Sequence, residues 1–252
     1  MEYIEYVATI FTLLGISFLG ICFGIISILR KYKQFNFTKE TRRNCIKRYV
    51  EFPYFIENKQ HEKHKYKLTK KLYQIIFKSR IDKIVFIIGK SGAGRTCLIN
   101  RFIIKYYLYA QIKGKKIMRV SGLECNNLLQ QIESIENKND TILFIDGLEE
   151  AFIYQKNRID ILNELNENLL TFSKCILTIN RDFYEENNFA LSDYYYRNAD
   201  QIKVYATKIY LQPFNNKLII KYINKNIKVS RYEKKTIINR ALLNKDFFHI
   251  LL

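Results

Sequence analysis

The sequence has few of the side chains that build metal centres or disulfide frameworks. Its five cysteines are scattered and include no CxxC pair, a pattern typical of reduced packing residues in a cytosolic protein. Only three histidines are present, and His61 and His64 lie in a Lys-rich stretch where no further ligands cluster. The sequence therefore gives no reason to expect a zinc site.

Charged residues are absent from residues 6–29, a run of 24 positions. As a helix, such a run is long enough to span roughly 30 Å of hydrocarbon. Its length and the acidic front at Glu2 and Glu5 argue against a cleaved signal peptide. Basic residues follow from Arg30 onward, so the positive-inside rule places the N-terminus outside and the rest in the cytosol. We expect a single-pass membrane protein whose anchor comprises residues 1–30.

Acidic residues are scarce directly after this run. Residues 30–120 contain 25 Lys and Arg but only 5 Asp and Glu, although the net charge of the whole chain is +18. Such a block fits an acidic surface, either phospholipid headgroups or nucleic acid, and a generally Lys-rich composition would also produce it. Because the block begins beside the predicted anchor and no recognition helix or zinc finger is evident, a membrane is the expected partner and specific nucleic-acid binding is not.

Residues 31–80 are expected to form a basic juxtamembrane connector that ends in a helix. Pro53 interrupts any helix near the apolar patch at residues 52–56. Between residues 62 and 80, apolar side chains at helical spacing predict an amphipathic helix. The opposite face of this helix is nearly all Lys, and it is either solvated or in contact with lipid.

The most informative stretch is residues 83–98, which read KIVFIIGKSGAGRTCL. An unbroken apolar run at residues 84–88 suits a strand buried on both faces, and a helical pattern begins after Gly94. A glycine loop between a strand and a helix N-terminus is the context that a phosphate-binding loop needs. The loop matches G-x-x-x-x-G-K-[ST] except that Arg95 stands where the lysine belongs, and Thr96 offers a hydroxyl for Mg²⁺.

A second apolar run, at residues 142–145, leads into Asp146 and then into Glu149 and Glu150. In a parallel sheet, this carboxylate would lie at the ligand crevice beside the glycine loop. There Asp146 is suited to hold Mg²⁺ through water, and Glu149 or Glu150 to orient or deprotonate a water molecule. A third run, at residues 175–179, ends at Asn180 and Arg181, and residues 209–211 form a fourth candidate strand.

Alternating strands and helices predict an α/β fold, a parallel sheet with helices on both faces. The glycine loop and the acidic strand end indicate that this sheet is of the P-loop NTPase type. The sequence divides into the anchor at residues 1–30, the connector at 31–80, an NTPase core at 81–213, and the start of a helical domain at 214–252. We expect this last domain to be truncated.

These motifs resemble the NACHT group of signal-transducing P-loop ATPases, which belong to the STAND class. The resemblance rests on GKSGAGRT at 89–96, ILFIDGLEEAF at 142–152, ILTINR at 176–181 and LQPF at 211–214. It implies a switch that binds ATP or ADP with Mg²⁺, with Thr96 and Asp146 at the metal, Glu150 or Glu149 and Arg181 in catalysis, and Pro213 at adenine. The expected nucleotide-binding residues are Gly89, Lys90, Ser91, Gly92, Ala93, Gly94, Arg95, Thr96, Cys97 and Pro213.

In this group, exchange of ADP for ATP lets subunits assemble and activate an attached effector, here expected to be the membrane segment. Bacterial members of this kind resemble antiphage defence proteins that damage the membrane, and a separate sensor or effector protein is an expected partner. Because Arg95 replaces the lysine, we expect weak ATP hydrolysis. Two other functions stay open: a non-enzymatic membrane scaffold with a degenerate loop, and a membrane-tethered, basic nucleic-acid binder.

Overall fold

The structure is a computed structural model, and it describes residues 35, 37–57, 67–122, 128–152, 158–186, 194–197 and 202–243. The predicted anchor at residues 6–29, together with His61 and His64, lies outside these residues. Within the described part of the chain, no helix is both long and apolar enough to cross a membrane.

The described strands form one sheet of seven. They are β1 (Tyr54–Ile56), β2 (Asp82–Gly89), β3 (Lys116–Ser121), β4 (Thr141–Asp146), β5 (Lys174–Asn180), β6 (Tyr194–Arg197) and β7 (Ile202–Leu211). The order is β1-β7-β2-β5-β4-β3, with β6 also paired to β7. The five strands from β7 to β3 are parallel, whereas β1 and β6 pair with β7 in antiparallel fashion. The predicted α/β fold is thus confirmed, with a parallel centre, whereas the two antiparallel strands make the sheet mixed.

The described helices flank both faces of this sheet. They are α1 (Lys39–Arg42), α2 (Leu68–Lys78), α3 (Arg95–Ile112), α4 (Leu128–Glu133), α5 (Arg158–Leu169), α6 (Arg181–Glu186), α7 (Asn216–Asn226) and α8 (Arg231–Leu243). A π-helical turn, Arg43–Arg48, continues α1. One core cluster packs α2, α3, α7 and α8 on the sheet, and a second packs α4, α5 and α6 on the opposite face.

The apolar runs of the sequence form the centre of the sheet. Every residue of β4 is buried, as are the last six residues of β2 and the first six of β5. Successive side chains of β2 point to opposite faces, so Val85 and Ile87 enter one core while Ile84, Phe86 and Ile88 enter the other. This double burial explains why these strands read as continuous apolar runs.

Two segments fold differently from what their local sequence suggests. The run Tyr194, Tyr195 and Tyr196 lies in a stretch with the character of a helix or loop, but it forms β6 against the first half of β7. In the predicted connector, β1 extends the sheet beside the second half of β7, and Tyr49, Val50 and other apolar side chains enter the core. The domain boundaries stay a prediction, but residues 49–56 share the core of the NTPase-like sheet.

Candidate functional site

The glycine loop follows β2 and turns directly into α3. Gly92 and Gly94 have φ angles of +71° and +69°, a region that glycine enters without steric cost. The Ala93 N–H donates to the Lys90 carbonyl at 3.1 Å, which closes the turn. Helix α3 then begins at Arg95, and no side chain in the described part of the chain caps its N-terminus with a hydrogen bond. Its first N–H groups are therefore available to an anion, and the helix dipole favours negative charge there.

Phe52 forms a wall over this loop. A Cβ atom added to Gly94 would lie 2.4 Å from the Phe52 ring, so the chain approaches the loop closely at this point. The Phe52 ring also packs against Tyr49 and Phe214, with centroids 5.7 and 5.1 Å apart. The segment before the sheet thus covers the loop, although its sequence predicts only a connector.

Asp146 lies at the end of β4, next to the first turn of α3, and is 5% exposed. Its Oδ1 accepts hydrogen bonds from the hydroxyls of Thr96, at 3.2 Å, and Thr178, at 2.9 Å. Its Oδ2 accepts from the Arg119 guanidinium at 2.8 Å. The two residues expected to hold Mg²⁺ are therefore brought together, and a hydroxyl beside a carboxylate is the oxygen donor set that this cation prefers.

Glu149 and Glu150 follow Asp146 and take different positions. Glu149 forms an ion pair with Arg95 at 2.7 Å and accepts from the Asn180 N–H at 3.0 Å. Glu150 lines the cleft that opens beside the loop. Gly147, with φ +74°, makes the turn between Asp146 and the two glutamates, and a Cβ there would lie 2.7 Å from a Glu150 carboxylate oxygen.

This cleft has a volume of about 650 Å³, within the size range of small-molecule sites. Loop residues 91–97 form its floor, and Tyr49, Phe52, Phe214 and Tyr222 form an aromatic wall. Burial raises the pKa of the Tyr49 and Tyr222 phenols, so both stay neutral at physiological pH. The cleft is thus polar where phosphates would lie and apolar beyond.

Hydrogen bonds hold the walls of the cleft to one another. From α3, Arg101 donates to the Cys45 carbonyl at 2.8 Å and lies 4.3 Å from the centre of the Tyr49 ring. From α7, Lys225 donates to the Tyr49 carbonyl at 2.7 Å and Asn226 to the Arg48 carbonyl at 3.1 Å. The segment around Tyr49 is therefore fixed between α3 and α7.

Some expected site residues lie apart from the cleft. Arg181 opens α6 and donates to Glu185 at 2.7 Å, a contact that raises the pKa of its guanidinium, and its side chain is 48% exposed. Pro213 is exposed and does not line the cleft, whereas its neighbour Phe214 does. Gly89 and Lys90 are likewise not among the lining residues, and neither are Asp146 and Glu149. The roles assigned to these residues remain predictions.

The structure also adds residues that sequence reasoning missed. Arg119 of β3 reaches Asp146 and, at 3.0 Å, Asn100 of α3. The Thr178 hydroxyl of β5 donates a hydrogen bond to the Asp146 carboxylate and accepts one from the Gly147 N–H. The sequence did carry one indication of these contacts. An Arg or a Thr in the middle of a short apolar strand is unusual unless it has a polar partner in the fold.

No protein-family model matches this chain, and no curated protein matches it in sequence. Among solved structures, it is similar to the Walker-type ATPase PABY2304 of Pyrococcus abyssi, with a TM-score of 0.45 and 11% identity, covering 68% of this chain and 61% of that one. Domain III of the replication initiation protein DnaA from Thermotoga maritima gives a TM-score of 0.44 and 15% identity, covering 67% of this chain and 72% of that one.

AMPPCP-bound DnaA from Aquifex aeolicus gives a TM-score of 0.40 and 15% identity, covering 69% of this chain and 53% of that one. These structural neighbours are P-loop ATPases, but scores below 0.5 carry no weight for function. The functional assignment therefore depends on the chain's own strand order, glycine loop and acidic strand end.

Proposed function

We propose that the cleft binds ATP or ADP together with Mg²⁺. The observation that carries this proposal is the meeting of Thr96 and Asp146, 3.2 Å apart, at the uncapped N-terminus of α3. The backbone N–H groups of the loop would hold the phosphates, and the Thr96 hydroxyl and Asp146 carboxylate would hold the metal ion. The aromatic wall around Tyr49 and Phe52 would receive the base.

When bound, the nucleotide would supply a phosphoanhydride bond, and Mg²⁺ held by Thr96 and Asp146 would neutralise phosphate charge. Within the chain, Glu150 lies at the cleft and is the better placed carboxylate to orient or deprotonate an attacking water molecule. Glu149 is engaged with Arg95 instead. This arrangement supports nucleotide binding with slow turnover.

We further propose that the chain is a nucleotide-dependent switch of the NACHT type, tethered to a membrane by residues 6–29. The motifs at 89–96 and 142–152 support the first part, and the uncharged run followed by basic residues supports the second. ATP would favour assembly of subunits and activation of the membrane segment, in signalling or antiphage defence. A separate sensor protein would supply the trigger.

The test is Mg²⁺-dependent ATP binding by the full chain in detergent or nanodiscs. Asp146→Asn should weaken Mg²⁺-dependent ATP binding by roughly 10- to 100-fold. This is the usual effect of losing a group that holds a metal ion indirectly, by orienting its direct ligands. Asp140→Asn, at an exposed surface carboxylate, is the matched control and should bind normally. Glu150→Gln should spare binding and remove turnover. Asp146→Asn that binds Mg²⁺–ATP normally would overturn the assignment.

A scaffold with a degenerate loop is the second candidate, and two contacts favour it. Arg95 engages Glu149 and Arg119 engages Asp146, so a guanidinium already neutralises each of these carboxylates. A chain of this kind would keep the fold without binding nucleotide. If the folded, unsubstituted protein does not bind ATP, the scaffold function is correct and the nucleotide-binding function is wrong.

A further inference from the structure

The outer sides of α2 and α3 form a continuous surface, which we call the α2–α3 face. Ring contacts hold the two helices side by side: Tyr73 of α2 lies 4.9 Å from Tyr106 and 5.3 Å from Tyr109 of α3, and Phe77 lies 5.0 Å from Tyr109. The inner sides of both helices are buried against the sheet. Their outer sides are turned away from the core.

This face carries a strong positive charge. Residues 67–81 and 102–116 contain nine Lys and Arg and no Asp or Glu. Lys115 forms an ion pair with Asp140, whereas Lys67, Lys78, Lys105 and Lys113 are exposed on the helices or at their ends. Such a surface attracts an anionic partner.

The same face exposes large aliphatic side chains. Leu108 is 54% exposed and Ile112 is 77% exposed. Because they are four residues apart on α3, with Lys105 one turn before Leu108, the three side chains form one stripe. The ammonium groups of Lys105 and Lys113 lie 5.1 and 5.8 Å from the rings of Tyr106 and Tyr109. Lysines, tyrosines and protruding aliphatics are the mixture found where proteins meet a membrane interface.

The path of the chain places α3 close to the predicted anchor. Phe35 packs edge-on against Tyr107 of α3, with ring centroids 5.5 Å apart. Phe35 is only six residues beyond Leu29, the last residue of the uncharged run. Six extended residues span at most about 20 Å. If residues 6–29 cross the bilayer, α3 therefore lies close to the membrane surface.

We propose that the α2–α3 face docks on an anionic membrane surface, with Leu108 and Ile112 inserted at the headgroup boundary and the lysines around them on lipid phosphates. This inference rests on the membrane part of the proposed function and is independent of nucleotide binding. A nucleic acid would satisfy the lysines through its phosphates, but it offers no apolar medium to Leu108 and Ile112. The exposed aliphatics therefore favour lipid.

The chain contains no tryptophan, so one introduced indole reports its own surroundings. The experiment uses full-length Leu108→Trp reconstituted in anionic vesicles that contain brominated lipid, with quenching of indole fluorescence as the readout. Glu167→Trp, exposed on α5 at the opposite face of the sheet, is the control. Ile112→Trp serves as a second probe, in case Leu108→Trp does not fold.

We expect quenching of the indole at 108 or 112 to exceed that at 167 by about twofold or more, as for side chains buried at the headgroup and acyl boundary. Neutral vesicles, or the added changes Lys105→Glu and Lys113→Glu, should reduce this excess. Equal quenching at 108, 112 and 167, or equal quenching in neutral and anionic vesicles, would overturn the proposal. The proposal would also be overturned if duplex DNA changed the indole fluorescence at 108 or 112 and lipid did not.

Carbonate extraction of the same vesicles separates this inference from the anchor. Release of the protein by carbonate would show that residues 6–29 do not span the bilayer. In that case, the docking face is tested by flotation of the full chain with anionic vesicles. Flotation that Lys105→Glu and Lys113→Glu abolish would support the face, and failure to float would overturn it.

Discussion

Arg95 occupies the position at which a phosphate-binding loop carries lysine, and its guanidinium is engaged with Glu149 at 2.7 Å. Both side chains are largely buried, at 12% and 15% exposure. A guanidinium is planar and longer than the compact ammonium of lysine, so it places its charge differently. In the proposed function, the side chain at position 95 would therefore decide both how the nucleotide phosphates are contacted and whether Glu149 is released.

We expect Arg95→Lys to raise ATP turnover by the full chain about tenfold or more, because a preorganised donor at the reacting group contributes roughly 10²–10³ in rate. Phosphate release is the measurement. Arg231→Lys, at an exposed position on α8, is the matched control and should change nothing. If Arg95→Lys is inactive and neither protein binds ATP, the loop is vestigial and the scaffold function is correct.

Gly94 is restricted in two separate ways. Its φ of +69° disfavours any side chain, and a Cβ would lie 2.4 Å from the Phe52 ring. Gly94→Ala should therefore lower the free energy of unfolding by more than the roughly 1–2 kcal/mol of the left-handed conformation alone. Nucleotide binding should weaken as well, since Phe52 and the loop would separate.

Gly114→Ala isolates the conformational part of this effect. Gly114 has a φ of +67°, but no atom of the described residues lies within 4 Å of a Cβ added there. Denaturant unfolding of the two variants should show the larger loss for Gly94→Ala, and the further change Phe52→Leu should recover part of the difference. Equal losses for the two alanine variants would mean that the Phe52 contact contributes nothing.

Among the elements, those with a local signal were predictable. The apolar runs of β2, β4 and β5 and the glycine loop are each visible within about ten residues of sequence. The partner of β1 is not, because β1 is three residues long and pairs with a strand more than 150 positions later. Phe52 at Gly94 and Arg119 at Asp146 are likewise contacts of the folded chain, which no spacing reveals.

The π-helical turn at Arg43–Arg48 and the start of α3 bring two cysteines together. The Sγ atoms of Cys45 and Cys97 are 3.5 Å apart, and a disulfide needs about 2 Å. The hydrogen bond between the two thiols, together with the charges of Arg101 and Arg119, lowers the pKa of the Cys45 thiol. The same hydrogen bond and burial raise the pKa of the Cys97 thiol.

Mild oxidation of the purified chain should join Cys45 to Cys97 without unfolding it. The closed loop would raise the free energy of unfolding by up to about 4 kcal/mol on a chain-entropy basis. Peptide mass mapping and denaturant unfolding of the oxidised and reduced forms are the measurements. Cys97→Ser should abolish the gain, and Cys175→Ser, a change in the opposite core, should preserve it. A crosslink to another cysteine would contradict the described packing.

At the scale of the whole molecule, α3 connects the two proposed sites. Its N-terminus lies at the cleft proposed to bind nucleotide, and its last turns carry Leu108 and Ile112 on the α2–α3 face. Eighteen residues of helix span about 27 Å, so the two sites are separate surfaces of one rigid element. Both belong to the sheet face that packs α2, α3, α7 and α8. A nucleotide-dependent movement of α3 would therefore also move the α2–α3 face relative to the membrane.

The tyrosines on this face of the sheet and at its edge make the folded chain less stable at alkaline pH. Burial, and then the charge of Glu51, raise the pKa of Tyr54 to about 12 from its usual 10.0. Burial likewise raises the pKa of Tyr49, Tyr107 and Tyr210. These phenols ionise more easily in the unfolded chain, so the folded chain binds more protons above pH 10, and its stability falls as pH rises.

We expect the free energy of unfolding to be steady up to about pH 10 and to fall between about pH 10 and about pH 12, the window set by the unfolded and folded pKa of Tyr54. Tyr54→Phe removes one of the responsible phenols and should make the fall shallower. Tyr232→Phe, at a side chain that is 82% exposed, should leave it unchanged. Denaturant unfolding of the three proteins across this range is the measurement. Identical slopes for Tyr54→Phe and the unsubstituted chain would show that Tyr54 does not gain its raised pKa on folding.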